Sequence, residues 1–364
     1  MVPDHADPPR RLIVGSVTLA NFRSYASLTL DLEPGIVLVT GPNGAGKTNL
    51  LEALHVGTQG FSPRTRADAQ LIRFGEQAAR VRLQGLRGTV GTELEVVLRT
   101  GEGKQARLNG ARLAAAEQLR HEVAALVFTP DRLAVVKGGP AARRAYFDRS
   151  LGRLAPARAS LPAEYGAAVG QRNAALRRVA AGASSRDALA PWTAQVATLG
   201  AALVVARRAA LALLAEPFAE CAEELGLPAS AVVYDAVEPT VEQLERVLPR
   251  DLERGATGAG PHLDEIAIVS GDRDLRVFGS QGEQRLAVLS LLLAEAALLT
   301  ERSAVPPLLL LDDVLSELDP GRRRVLVRRV EGRGQTMITA TTRDALPGDP
   351  AQLVLVSPGA AREG

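Results

Sequence analysis

A single cysteine, Cys221, stands among 364 residues. That excludes an internal disulfide and fits a reducing interior. Lysine is almost as scarce: Lys47, Lys104 and Lys137 are the only ones, and arginine makes up the rest of the 43 basic side chains. Arginine abundance alongside alanine and glycine says little about a nucleic-acid partner, and a net charge of +2 does not announce a polyanion. Aromatic residues make up only 3%, too few for the stacking platform of a single-strand binder. No stretch reaches the roughly 18 apolar residues that span a bilayer. The nearest, Leu286 to Leu299, is interrupted by Ser290 and Glu295. The N-terminal MVPDHADPPRR has no apolar core of a secretory signal. A cytoplasmic location without a membrane partner is expected. Tandem repeats and long low-complexity tracts are also missing.

What is present is concentrated in one octapeptide. Gly41, Pro42, Asn43, Gly44, Ala45, Gly46, Lys47 and Thr48 fit the phosphate-cradling pattern G-x-x-x-x-G-K-[ST] in full. The β-branched run Ile36 to Thr40 precedes it as a buried strand, and Asn49 to Leu54 continues it with helix-forming residues. Strand, glycine loop and helix together make a site for a nucleoside triphosphate. Backbone N–H groups of the loop and the positive helix end can converge on phosphate. Lys47 is expected to neutralise β and γ oxygens, and Thr48 to offer its hydroxyl to Mg²⁺.

Length suggests about two domains. Strand signals recur from Leu12 to about Val127, several alternating apolar with polar as in an antiparallel, half-exposed sheet. From about Pro130 to Leu248 the chain reads as helical and alanine-rich. From Glu265 strands and helices alternate again. The expected division is a discontinuous nucleotide-binding unit, 1–129 and 256–364, flanking a helical insertion at 130–255. Pro156, Pro162, Gly166, Gly170, Gly182, Pro191, Gly200 and Pro217 argue against long uninterrupted helices, and no heptad repeat persists. A compact helical domain is expected in place of a coiled-coil arm.

Leu308 to Leu311 reads as a strand buried on both faces, ending in Asp312 and Asp313. Strand alternation would turn the two carboxylates to opposite sides. Asp312 is assigned to Mg²⁺, and Asp313 to orienting or deprotonating the attacking water. Upstream, Ser280-Gln281-Gly282-Glu283-Gln284 reads as a helix start, with Ser280 as cap and Glu283 completing the capping box. Such a terminus can also receive an anion.

Glycine loop, SQGEQ, LLLLDD and then Ser316-Glu317-Leu318-Asp319, in this order, resemble the ABC-type ATPase heads. The resemblance makes SQGEQ the signature sequence and SELD the D-loop. It implies that two heads sandwich two ATP molecules, with Ser280, Gly282 and Glu283 of one head facing the γ-phosphate held by the other. Further elements narrow the match: NFRSY at Asn21 to Tyr25, SPRT at Ser62 to Thr65, FTPD at Phe128 to Asp131, VKGGP at Val136 to Pro140, RRAYFD at Arg143 to Asp148, and GPH at Gly260 to His262. As a set, over about residues 12 to 345, they resemble the RecF family of SMC-like ATPases. The resemblance implies an α/β, ABC-type P-loop ATPase head with an antiparallel β subdomain and a compact helical insertion. It implies ATP and Mg²⁺, weak hydrolysis and an ATP-bound homodimer on double-stranded or gapped DNA. It also implies partnership with RecR, and with RecO and RecA in the pathway.

Departures from the family pattern are local. Leu263 stands where an arginine usually follows GPH. None of His5, His55, His121 and His262 lies beyond the carboxylates, so Thr341 or Thr342 stands near the place of a switch histidine. The loop at Phe128 to Asp131 has no coupling glutamine, and Gln59 lies too near the glycine loop for that role. Arg64 and Thr65 are candidates for the base. Candidate DNA contacts are Arg143, Arg144, Arg149, Arg153, Arg172, Arg177 and Arg178, through salt-dependent phosphate binding. A solvated helix face, or ion pairs with Asp148 and Glu164, accounts for the same arginines. Rival readings are a transporter-energising ATPase, an SMC-type or nuclease head serving as a tether, and an ABC-type head whose helical domain docks protein partners.

Overall fold

Runs that alternate apolar and polar side chains become paired strands, and unbroken apolar runs become strands covered on both faces. The computed structural model describes residues 12–88, 90–303 and 306–364. The N-terminal stretch read for a secretory signal, with His5, lies outside them. In chain order the elements begin with β1 (Leu12–Phe22), β2 (Tyr25–Asp31), β3 (Gly35–Thr40), α1 (Lys47–Gln59), β4 (Ala78–Arg87), β5 (Val90–Arg99), β6 (Gln105–Leu108), β7 (Ala111–Arg112) and β8 (Ala125–Phe128). Then come α2 (Ala134–Lys137), α3 (Pro140–Leu154), α4 (Leu161–Ala180), α5 (Ala190–Glu224), β9 (Ser230–Val233), α6 (Val241–Arg246), α7 (Leu248–Arg254), β10 (Ala267–Ser270), β11 (Arg273–Asp274) and α8 (Leu275–Phe278). The chain ends with α9 (Gln281–Ser303), β12 (Leu308–Leu311), α10 (Pro320–Val330), β13 (Gln335–Ala340), β14 (Gln352–Ser357) and β15 (Ala360–Glu363).

Two compact units result. The first takes the chain up to Arg132, the short piece Glu224–Gly226 and Leu292–Gly364; the second takes Leu133–Glu223 and Leu227–Leu291. The division therefore differs from the expected boundary at 255: residues 256 to 291, Ser280 included, group with the second unit.

The first unit holds two six-stranded sheets. One runs β15-β14-β3-β13-β12-β8, parallel except at the β14–β15 edge. Its register sets Leu310 beside Met337 and Met337 beside Val37, so successive strands stack apolar side chains. The other is the antiparallel order β2-β1-β4-β5-β6-β7, as the alternating pattern predicts. Helix α1 joins them through one core that contains Val37, Leu50, Leu54, Leu83, Leu94, Leu310 and Met337. Gly57 permits its close approach to β4, because a Cβ there would fall 2.6 Å from Leu83 Cδ1.

In the second unit α4, α5 and α6 share a core of Tyr165, Val169, Val196, Leu203 and Leu244. Two expectations are corrected. Helix α5 runs for 35 residues with Pro217 inside it. Proline removes only one donor, and the buried Leu211, Leu214, Phe218 and Cys221 around it supply tertiary packing that offsets the loss. Pro191 and Pro162 sit in first turns, where no intrahelical partner is lost. The segment Arg186–Glu224 is also long and apolar enough to cross a membrane by length and composition, contrary to the expectation that no stretch is; half of its most apolar window is buried within the chain. The region read as helical and alanine-rich, from about Pro130 to Leu248, contains a strand as well. Strand β9 joins β10 and β11 in a three-stranded antiparallel sheet.

Candidate functional site

Strand β3 delivers the chain to Gly41, and α1 starts at Lys47. Pro42, Asn43 and Gly44 are exposed at the crest of the loop, whereas Ala45, Gly46 and Lys47 are buried at its base. Gly46 has φ +117, and a Cβ there would meet Ser24 Oγ at 2.9 Å and Tyr25 Oη at 3.0 Å. Only glycine lets the loop lie this close to the NFRSY turn. Tyr25 Oη donates to the Gly46 carbonyl at 3.1 Å, and burial raises its phenol to about 12. Asn49 Nδ2 donates to Ser24 Oγ at 3.0 Å. Lys47 Nζ folds back over the loop, donating to the carbonyls of Gly41 at 2.6 Å and Pro42 at 3.0 Å. Burial pushes its ammonium below the ordinary lysine value, against the opposing pull of Asp313 and Asp312.

The acidic strand end meets this loop. The Asp312 carboxylate accepts Thr48 Oγ1 at 2.9–3.0 Å and Thr339 Oγ1 at 2.8 Å. Burial raises its proton affinity above that of an ordinary aspartate, and the two hydroxyl bonds oppose the shift. Alternation along the strand does not separate the two carboxylates as expected, because β12 ends at Leu311. A left-handed turn does it: Asp313 has φ +51, and its N–H donates to Thr339 Oγ1 at 2.8 Å. Asp313 is exposed and lines a cavity of about 310 Å³ with Ser316, Arg323, Thr341 and Thr342. Both threonines considered for the γ-phosphate end therefore face the same space as Asp313.

Thr339 was not singled out in the sequence. It lies in a strand buried throughout that also holds Thr336, where a threonine looks like tolerated polarity. The available signal is register: Leu311 pairs with Ile338, which sets Thr339 beside Asp312. Glu52 was also missed. Its buried carboxylate accepts Arg23 at 2.8 and 2.9 Å, Arg64 at 3.2 Å and Ser62 at 2.6 Å, tying NFRSY and SPRT to α1. Gln59 donates to the Val123 and Thr58 carbonyls, which leaves the coupling glutamine unassigned. Thr65 donates into its own loop, to Gln70 at 2.6 Å.

In the second unit Ser280, Gly282 and Glu283 form the expected helix start. Glu283 Oε2 accepts the Ser280 N–H at 2.7 Å, and Ser280 Oγ accepts the Glu283 N–H at 3.2 Å. The bond from Ser280 lowers the Glu283 pKa. The Ser280 side chain also bonds the Glu283 carboxylate, so both ends of the capping box hold Glu283 in its ionised form. Gln284 clamps the approach by donating to the Leu275 and Gly279 carbonyls.

Two arginines proposed for DNA are internal. Arg143 is 2% exposed and is spent on the Val136 and Gly138 carbonyls and on Glu265. Arg172 is fully buried and pairs with Asp251 at 2.7 Å and Thr257 at 2.9 Å. Neither can reach a phosphate without leaving a buried carboxylate or carbonyl unpaired. Arg144 is part-buried and donates to the Asp264 carbonyl at 2.5 Å, and Arg153 donates to Ser150. Arg149, Arg177 and Arg178 are exposed. Asp148 pairs with Arg207 at 2.8 and 2.9 Å. In the GPH element His262 Nδ1 lies 2.7 Å from Tyr165 Oη and Nε2 lies 3.0 Å from the Thr257 carbonyl, while Leu263 is exposed.

The family model described as the RecF/RecN/SMC N terminal domain matches residues 13–357. The DNA replication and repair protein RecF of Heliobacterium modesticaldum is 34% identical over 355 residues, 93% of this chain and 95% of that one. The chain belongs to the RecF family. RecF of Symbiobacterium thermophilum is 35% identical over 351 residues, 92% of this chain and 93% of that one. A solved structure of the recombination mediator protein RecF-ATP in RecFOR pathway matches with TM-score 0.88 at 25% identity, over 99% of this chain and 100% of that one. A Smc head domain with an extended coiled coil, from Pyrococcus furiosus, matches with TM-score 0.60 at 15% identity over 97% of this chain and 96% of that one, a likeness of fold alone. The fold is the ABC-type, SMC-like P-loop ATPase head expected of a RecF chain, with its antiparallel β subdomain.

Proposed function

We propose that the chain is an ATP-gated DNA clamp of recombinational repair, cytoplasmic and weakly hydrolytic. The observation that carries the reading is the bridge Thr48–Asp312–Thr339, which ties the glycine loop to the acidic strand end within 3.0 Å. Among the described residues no cluster of three or more His, Cys, Asp or Glu could hold a metal by itself. One hydroxyl and one carboxylate, both hard oxygen donors, suit Mg²⁺, which keeps waters and takes phosphate oxygens as further ligands. Thr48 and Asp312 would hold it; when bound, it supplies positive charge against the β and γ oxygens. Lys47 adds its ammonium, and the loop N–H groups orient the chain of phosphates. Asp313, exposed beside Thr341 and Thr342, orients or deprotonates the attacking water.

Ser280 of a second copy donates its hydroxyl to the γ-phosphate, so that ATP closes a homodimer around duplex DNA near a single-strand gap. Hydrolysis reopens it. The relatives are named as DNA replication and repair proteins. The solved relative's description as a recombination mediator in the RecFOR pathway supports action with RecR and RecO in loading RecA. Two bound nucleotides shift the dimer equilibrium only by their preference for the closed state. ATP with Mg²⁺ is therefore expected to raise the dimer fraction in sedimentation equilibrium, and Lys47→Met to remove the response. An unchanged monomer fraction in the wild type would reject the clamp. Duplex DNA retained on filters in the same samples should follow the dimer and fall with salt. The internal roles of Arg143 and Arg172 favour a second reading, in which the helical unit docks protein partners and DNA contact is indirect. Dimerisation without ATP-dependent retention at any salt would select it.

A further inference from the structure

We infer that Phe74 is the platform on which the purine base of the bound nucleotide stacks. The inference rests on the ATP-binding reading above and names the residue that selects the base. Of seven phenylalanines, five are buried or partly buried. Phe74 is the most exposed of the large apolar side chains described, at 103% of its reference area. It is not a fraying loop tip. The Glu76 N–H donates to the Arg73 carbonyl at 3.0 Å, closing a turn with Phe74 and Gly75 at its centre, and Gly75 takes φ +86 as the third position of such a turn requires. Arg73 N–H donates to the Asn21 carbonyl at 2.8 Å, and Arg23 N–H to the Leu71 carbonyl at 2.9 Å. Asn21 Nδ2 donates to Glu76 at 3.1 Å. The turn is thus fastened on both sides to NFRSY, the segment whose Ser24 and Tyr25 touch the glycine loop.

Phe74 lines a cleft of about 630 Å³ together with Arg23, Ser24, Asn49, Arg64 and Thr100. That volume suits a small-molecule pocket, which typically runs about 300–1,000 Å³. Its position relative to the phosphates decides what it takes. Ser24, which adjoins Gly46, and Asn49, which donates to Ser24, both line the cleft and so connect it to the glycine loop. The cavity of Asp313, Thr341 and Thr342 borders the site at the acidic strand end. The proposed activation of water at Asp313 sets the γ-phosphate beside that cavity, and the cleft, which none of Asp313, Thr341 and Thr342 lines, is left for the nucleoside. Arg23 and Arg64 share one carboxylate, Glu52, and leave one positive charge in excess at the cleft wall for a phosphate or ribose oxygen. The exposed ring then supplies the flat apolar face that a base needs. Arg64 is part of this wall; Thr65, bonded to Gln70, is not.

The test compares ATP with inorganic tripolyphosphate, which carries the phosphates and no base. In calorimetric titration with Mg²⁺, Phe74→Ala is expected to weaken ATP roughly ten- to a hundredfold and to leave tripolyphosphate unchanged. Phe74→Trp should retain ATP affinity, and its added fluorescence should change on ATP and not on tripolyphosphate; the wild type reports the background of Trp192, the chain's only tryptophan. Unchanged ATP affinity in Phe74→Ala with a silent Trp at 74 overturns the inference and leaves the ATP site standing. Equal loss of both ligands overturns it too, since the residue would then act through the loop. A wild type that binds neither ligand overturns both readings.

Discussion

A single hydroxyl organises the two acidic residues. Thr339 donates to the Asp312 carboxylate and accepts the Asp313 N–H, so it fixes one carboxylate toward Thr48 and holds the left-handed turn that sends the other outward. Thr339→Val keeps the shape and removes both bonds. Leaving buried polar partners unmatched costs about 1–3 kcal/mol, and urea unfolding should lose that much. The Mg²⁺ concentration needed for half-maximal phosphate release should rise roughly tenfold, the equivalent of about 1.4 kcal/mol, because the carboxylate is no longer aimed. Thr339→Ser should restore most of both. A valine variant with wild-type Mg²⁺ dependence would show that Asp312 is positioned by the strand alone. Lys47 needs no such partner to be recognised: its pattern is local, and the carbonyls of Gly41 and Pro42 that hold it lie within the same octapeptide.

Elements differ in how far their own residues announce them. The glycine loop and α1 were legible because their signals are contiguous, and so was β12, whose four leucines run unbroken. The Ser280 capping box was legible for the same reason. What could not be read were pairings between distant segments: β9 with β10, Glu52 with Arg23 and Arg64, Arg172 with Asp251. Helix α5 was misjudged because proline and glycine were weighed by propensity, whereas Gly200 serves packing; a Cβ there would fall 2.6 Å from Pro239 Cγ. The loop that carries GPH gives an element-scale prediction. The Thr257 carbonyl can only accept, so His262 Nε2 donates to it and Nδ1 accepts from Tyr165. Burial, foremost, and Arg144 hold the imidazole below the ordinary histidine value, against the bond to the Thr257 carbonyl and the charges of Asp264 and Asp251. Protons then bind the unfolded chain more readily than the folded one. The stability this arrangement contributes is complete above the ordinary value of about 6.5 and falls as pH drops from there toward the lowered folded value. Trp192 lies in the same unit and reports its unfolding. Its urea midpoint should fall between about pH 7.5 and about pH 5, and His262→Gln, which keeps a donor and an acceptor without titrating, should flatten that slope. An identical slope in the glutamine variant would assign the pH dependence to other groups.

At the scale of the whole molecule the proposed reaction requires two chains, because the residues assigned to each nucleotide come from different copies. In the proposed dimer Lys47, Thr48 and Asp312 would hold it, and Ser280 of the partner would reach it. This division can be separated from a site complete within one chain. Lys47→Met removes the ammonium. Ser280→Asp keeps the helix start, since aspartate caps as well as serine, and sets a carboxylate against the phosphates. Each variant alone should be inactive in phosphate release. In a two-fold dimer of mixed variants, the Lys47→Met copy lends an intact Ser280 to the intact Lys47 of its neighbour. One of the two shared sites is then whole and the other carries both lesions. Random pairing makes half the dimers heterodimeric, so an equimolar mixture should recover up to about a quarter of wild-type turnover if the sites act independently, and less where a damaged site weakens ATP-driven pairing. Recovery should depend on total concentration, as a dimer's does, and vanish on dilution. If Ser280 instead served the nucleotide of its own chain, every copy in the mixture would carry a damaged site and no proportion of the two variants would restore activity.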